Sequence, residues 1–183
     1  MLVPKKRNSM DLLITYPNFK RDIEYAFHDL IEEFHLKLLE LGEGSYLLKG
    51  TTCNIRFGYD RGDTVCQFKQ VTESYSSPGY SVLAVFKSLC PTKEASNKHE
   101  RIYDARLQLL EYANMVRNLK SVLNGDFSWL KEFIEKQERE DKLSLFVVSK
   151  LDMNNPISKK FWSGDMSWQQ DLESYLRENN LSL

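Results

Sequence analysis

Apolar residues recur at spacings of three and four through FKRDIEYAFHDLIEEFHLKLLEL, residues 19–41. Ile23, Phe27, Leu30, Ile31, Phe34, Leu38 and Leu41 fall on one stripe, the pattern of an amphipathic helix laid on a core. Asn18 stands where a cap belongs and Gly42 where the helix would end. The period then changes. In GSYLLKGTTCNIRFGYDRGDTVCQFKQV alternation replaces helical spacing, and turn signals stand at Lys49-Gly50-Thr51 and at Asp60-Arg61-Gly62-Asp63. Pairing Asp60 with Asp63 sets Phe57 opposite Cys66 and Ile55 opposite Phe68. Folding about Gly50-Thr51 sets Leu48 opposite Cys53 and Tyr46 opposite Ile55. Both turns then put the apolar residues on one face and Asn54, Arg56, Gln67 and Lys69 on the other, so the two registers agree on a three-stranded antiparallel meander.

Residues 80–90, YSVLAVFKSLC, predict a short buried helix stopped by Pro91, followed by a polar loop. Residues 99–123 predict a second long helix with a broad apolar arc from Ile102 and Tyr103 to Leu123. The string Gly-Asp-x-Ser-Trp occurs at 125–129 and again at 164–168. In each copy the glycine suits a left-handed helix end, and the aspartate or serine suits the start of the next helix. These helices are predicted over 128–140 and from Trp168 onward, with Ser167 and Gln170 spaced as a capping box. Residues 143–151 fit a helix or a strand, the helix being preferred, and 154–164 read as a loop. The expected organisation is an N-terminal arm over 1–18 and a single α+β domain over 19–183. Several helices would pack on one face of the sheet.

Composition narrows the function classes. The 183 residues are 42% hydrophobic and 28% charged, with a formal net charge of −1, a balance that offers nothing to nucleic acid. No apolar run is long enough to span a bilayer, and the N-terminus lacks the apolar region of a secretory signal. Cys53, Cys66 and Cys90 are odd in number and have no metal-binding spacing, which favours reduced thiols in a cytoplasmic protein and no cofactor.

The one cluster with reaction chemistry is His28, Glu32 and His35, with Glu24 alongside. A base beside a carboxylate can move protons, but two turns separate the histidines, about 10 Å along a helix axis, so they cannot share an ion unaided. Arg61-Gly62-Asp63 is turn chemistry rather than an adhesion motif. Recognition is better served. Glu24, Asp29, Glu32 and Glu33 crowd the first helix with Tyr25 and Leu36 on a side away from the stripe, and Arg56 and Lys69 lie on the outward side of the meander. Together they form a candidate partner-binding surface. Phe161 and Trp162 beside Lys159 and Lys160 are a second aromatic contact candidate.

The order helix, meander, long helices resembles small bacterial α+β proteins that include immunity proteins of polymorphic toxins. The likeness rests on the turn Phe57-Gly58-Tyr59-Asp60 and the helix end Leu123-Asn124-Gly125-Asp126. It covers residues 19–135 and implies a non-enzymatic protein whose partner is a toxin made by the same cell. Two other readings stay open: a small enzyme built on His28 and Glu32, and a structural or regulatory subunit that pairs with its own copy.

Overall fold

The apolar stripe that begins at Phe19 carries helix only to Glu33. Helices α1 (Phe19–Ala26) and α2 (His28–Glu33), with the residue between them, bury Ile23, Phe27 and Leu30 completely. His35 then turns left-handed, with φ at 50°, and Leu36 N–H donates back to Ile31 O at 3.0 Å. That bond closes the helix in the way glycine usually does. The next residues, Lys37–Gly42, are strand β1 rather than the last turns of a long helix. The leucines of LKLLEL fit both periods, and pairing with the following strand decides between them: Leu38 stands opposite Leu48.

A computed structural model describes residues 16–183 except 43, 61, 74–78 and 94–103. The arm up to residue 15, Arg61, His99, Ile102 and Tyr103 therefore lie outside the described residues. The chain divides into two compact units, Met1–Phe127 and Ser128–Leu183.

The first unit is α+β. Strands β1, β2 (Ser45–Lys49), β3 (Cys53–Asp60), β4 (Asp63–Gln70) and β5 (Tyr80–Ser81) form an antiparallel sheet in sequence order. The meander is thus longer than the three strands expected, by one strand at each edge. The β3–β4 register is the predicted one, with Asp60 opposite Asp63, Phe57 opposite Cys66 and Ile55 opposite Phe68. The β2–β3 register differs by two residues: Leu48 faces Ile55 and Tyr46 faces Phe57. A wider turn causes the slip, since Lys49 pairs with Asn54 and the Asn54 side chain accepts a bond from Gly50 N–H at 3.2 Å. Sheet side chains repeat every second residue, so a slip of two leaves every residue on its predicted face.

Helix α3 (Val82–Leu89), α4 (Ala105–Arg117) and the single turn α5 (Lys120–Leu123) complete this unit. The long helix expected over 99–123 is therefore interrupted between Arg117 and Lys120. The helices lie on the apolar face. The Phe27 and Phe57 rings meet edge to face at 5.0 Å. Tyr112 Oη donates to Thr64 O at 3.2 Å, Thr64 N–H donates to Gln108 Oε1 at 2.7 Å, and Thr52 Oγ1 donates to Leu123 O at 2.5 Å. Cys53 and Cys66 are buried free thiols on this side. Burial pushes Cys53 up to about 12 and Cys66 well above the ordinary range, which leaves neither reactive.

The second unit holds α6 (Leu130–Lys150), α7 (Pro156–Ser163) and α8 (Trp168–Glu178). Residues 143–150 are helical and continuous with the helix predicted before them. Residues 154–164 are not a loop: Asn155 caps α7 by accepting from Ile157 N–H at 2.9 Å, and Pro156 occupies the first turn, where its missing donor costs nothing. Ile157 supplies part of the core with Leu143, Val147, Trp168, Leu172 and Leu176.

Both Gly-Asp pairs are helix ends. Gly125 and Gly164 have φ of 89° and 76°. The amide of Asp126 donates to Ser121 O, and that of Asp165 donates to Lys160 O, both at 3.0 Å. In the second copy the start of the next helix uses the aspartate of the two residues expected there. Ser167 makes no side-chain cap and the predicted capping box is not formed. Instead Asp165 Oδ1 accepts from Ser167 N–H at 3.0 Å, and Trp168 enters as a buried anchor.

Close approach and left-handed backbone predict different costs on adding one methyl group. At Gly50 a Cβ would lie 2.4 Å from Cys53 O and 3.0 Å from Leu36 Cδ2. The sheet turn must move, so Gly50→Ala is expected to cost more than about 2 kcal/mol. At Gly164 the space is open and only the backbone strain remains, about 1 kcal/mol. Urea unfolding of both variants checks the order.

Candidate functional site

Helices α1 and α2 present the expected acidic flank, but two of its carboxylates, Asp29 and Glu33, are already paired with cations. Arg117 of α4 forks onto Asp29, with Nε at 2.7 Å from Oδ2 and Nη2 at 2.8 Å from Oδ1, and Nη2 also donates to Ala26 O at 3.2 Å. The guanidinium holds the Asp29 carboxyl down at about 2, and the carboxylate raises Arg117 in return. Lys120 Nζ donates to both Glu33 oxygens at 2.6 and 2.7 Å. His28 Nδ1 lies 3.5 Å from Glu32 Oε1. Arg106 covers Tyr25, its guanidinium carbon 4.4 Å from the ring centroid. Glu24 is exposed and makes no ion pair among the described residues. The partners of Asp29 and Glu33 arrive from about ninety positions away, so counting charges along one helix could not reveal them.

Two of the expected surface residues are buried. Leu36, placed on an exposed helix side by the helical reading, is 7% exposed and packs at the Gly50 turn. Lys69 is 1% exposed. Burial lowers the Lys69 ammonium from its ordinary value and the nearby Arg56 lowers it further, while Glu73 acts in the opposite direction. Leu47 and Asn54 on the same outward face are also closed to solvent.

That outward face opens toward its β1 edge. The pairings place Lys37, Lys49, Asn54 and Lys69 in one row across the four strands, with Leu39, Leu47, Arg56 and Gln67 in the next. Lys37 and Lys49 are exposed and directly opposite one another, Arg56 is half-buried behind them, and Leu39 is 38% exposed beside them. Like charges placed opposite in a sheet repel and lower stability. Among the described residues no carboxylate pairs with Lys37 or Lys49. Sequence reading missed both lysines, Lys37 because its segment was read as helix and Lys49 because it was read as part of a turn.

In the second unit, Phe161 is packed inward, its ring 5.0 Å from that of Trp168, and Lys160 is tied to Asp171 at 2.5 Å. Trp162 remains 57% exposed and Lys159 is exposed. The His28–Glu32 pair stands in solvent, its side chains 68% and 72% exposed. His35 sits at the left-handed helix end rather than one turn further along the same face. Among the described residues no three histidine, cysteine or carboxylate side chains are grouped to hold a metal ion, and no helix is long and apolar enough to cross a membrane. Comparison with protein-family models, with curated proteins and with solved structures finds no match.

The Asp29–Arg117 fork has a defined pH signature. Because the folded carboxyl titrates near 2, below its ordinary range, its contribution is complete above about pH 5 and is lost as pH falls through 2. The pair is half-exposed, so the contribution is at most about 1 kcal/mol. Asp29→Asn is expected to lower the melting temperature at pH 7 and to leave it nearly unchanged at pH 2, measured by thermal melts across that range.

Proposed function

We propose that the protein works in the cytoplasm by binding another protein, without catalysing a reaction, and that the partner is a toxin it neutralises. The observation that carries the binding surface is the opposed pair of lysines at the open edge of the sheet, where Lys37 faces Lys49 and no carboxylate among the described residues pairs with either. Repulsion in such a pair weakens the isolated fold, and a partner of opposite charge relieves it. The pairing of Asp29 and Glu33 with Arg117 and Lys120 supports moving the contact surface from the α1–α2 flank to the sheet. The solvent-exposed His28–Glu32 pair supports the non-enzymatic part, since acid–base work gains from a pair sheltered from water. The toxin as partner rests on the sequence resemblance alone.

Growth rescue tests this reading. The neighbouring gene is expected to encode that toxin, and cells making its product are expected to survive when the protein is co-expressed and to die when it carries Lys37→Glu and Lys49→Glu. Reversing two exposed lysines of α6, Lys136→Glu and Lys142→Glu, changes the net charge equally and is expected to leave rescue intact. Absence of rescue, or rescue by the Lys37/Lys49 variant, refutes the proposal.

A further inference from the structure

The open end of the cation row is also a strand edge. Strand β1 is paired only on its β2 side among the described residues, so its other side presents backbone donors and acceptors in an extended array. Leu39 and Leu41 on this strand are 38% and 39% exposed, and Lys37 and Glu40 are exposed beside them. Lys37 and Glu40, with the register irregularity between Glu40 and Gly42, discourage pairing with unselected strands. An edge guarded in this way admits a strand whose charges match.

We infer that the occupant is an extended acidic segment of the partner protein, added as a further strand alongside β1; this rests on the protein-binding reading above. Backbone hydrogen bonds supply affinity in such strand addition and alternate side chains supply selection. The added strand would set a carboxylate opposite Lys37, within reach of Lys49, and an apolar residue opposite Leu39. On its other face an apolar residue would meet half-buried Leu38, and a hydroxyl or cation would meet Glu40. Two features favour protein over nucleic acid as the acidic partner. Leucines are interleaved with the charges along β1, and the chain's net charge of −1 lacks the basic surplus that attracts a long polyanion.

The test uses the full chain and a short peptide carrying glutamate, valine, valine and threonine at the positions opposite Lys37, Leu38, Leu39 and Glu40, with fluorescence anisotropy and amide hydrogen exchange as readouts. Saturable binding is expected, with the outer β1 amides, those facing away from β2, exchanging freely in the protein alone and slowing when the peptide is present. Lys37→Glu with Lys49→Glu is expected to weaken binding about tenfold or more. The same peptide with alternate backbone nitrogens methylated keeps its charges but cannot extend the sheet, and is expected to lose binding. Equal binding of the methylated peptide overturns strand addition. Protection of the outer β1 amides before peptide is added overturns it too, because the edge is then already taken. Tighter binding of an oligoribonucleotide of the same length overturns the acidic-protein assignment. If the peptide fails while growth rescue still depends on Lys37 and Lys49, the inference falls and the binding reading stands. If rescue itself fails, the reading beneath it falls.

Discussion

A strand side chain has two directions to point, and the first unit is organised by that restriction. Leu48, Ile55, Phe57, Cys66 and Phe68 all point to the face that the helices cover, and each is nearly or wholly closed to solvent. Moving any strand by one residue would send its apolar set outward and bring charge inward. Phe27 against Phe57, Tyr112 on the β4 backbone and Thr52 on the last carbonyl of α5 all presuppose this parity. So does the cation row, because Lys37, Lys49 and Lys69 are gathered on the far face by the same alternation that gathers the apolar residues on the near one.

Parity also explains which parts of the fold could be read from the letters. The β3–β4 hairpin was legible in full because its turn is tight and leaves one register open. The β2–β3 hairpin was legible in face but not in register. Its turn is widened by a bond that the Gly50 amide donates to the Asn54 side chain, a detail no alternation pattern contains. Strand β1 was misread because its leucines satisfy two periods, and the arbiter is the neighbouring strand. The left-handed residue that ends α2 is a histidine, whereas the available glycine, Gly42, lies at the end of the strand. Local propensity was followed past the point where pairing overrides it.

One terminating device serves four helices. His35, Gly125, Gly164 and Asn180 each turn left-handed, and the amide one residue later reaches back five positions to a carbonyl. At Gly125 and Gly164 that next residue is aspartate, which is why the chain writes Gly-Asp twice. The repeated pentapeptide is thus shared grammar for leaving one helix and entering another, and the tryptophan that closes it is placed by the turn. In the second copy it enters the core of the helical unit. Sequence reading recognised the glycines and named the aspartate or the serine for the next helix start; in that copy the aspartate serves, and the serine–glutamine capping box does not form.

Charge is where local reading failed most, and the failure has a physical form. A near-zero net charge says nothing about segregation, which depends on residues brought together from distant parts of the chain. Asp29 and Glu33 look like an acidic patch until Arg117 and Lys120 are folded against them. Lys37 and Lys49 look ordinary until pairing sets them face to face. The two outcomes differ in what they leave undone. An ion pair across two helices is complete within the molecule and, half-exposed, contributes little beyond local order. A pair of lysines opposed on a sheet raises the energy of the fold with no intramolecular compensation among the described residues. Repulsion that folding leaves in place is free energy still available to an acidic partner, and that asymmetry, more than the amount of charge, separates the sheet edge from the helix flank as a surface for recognition.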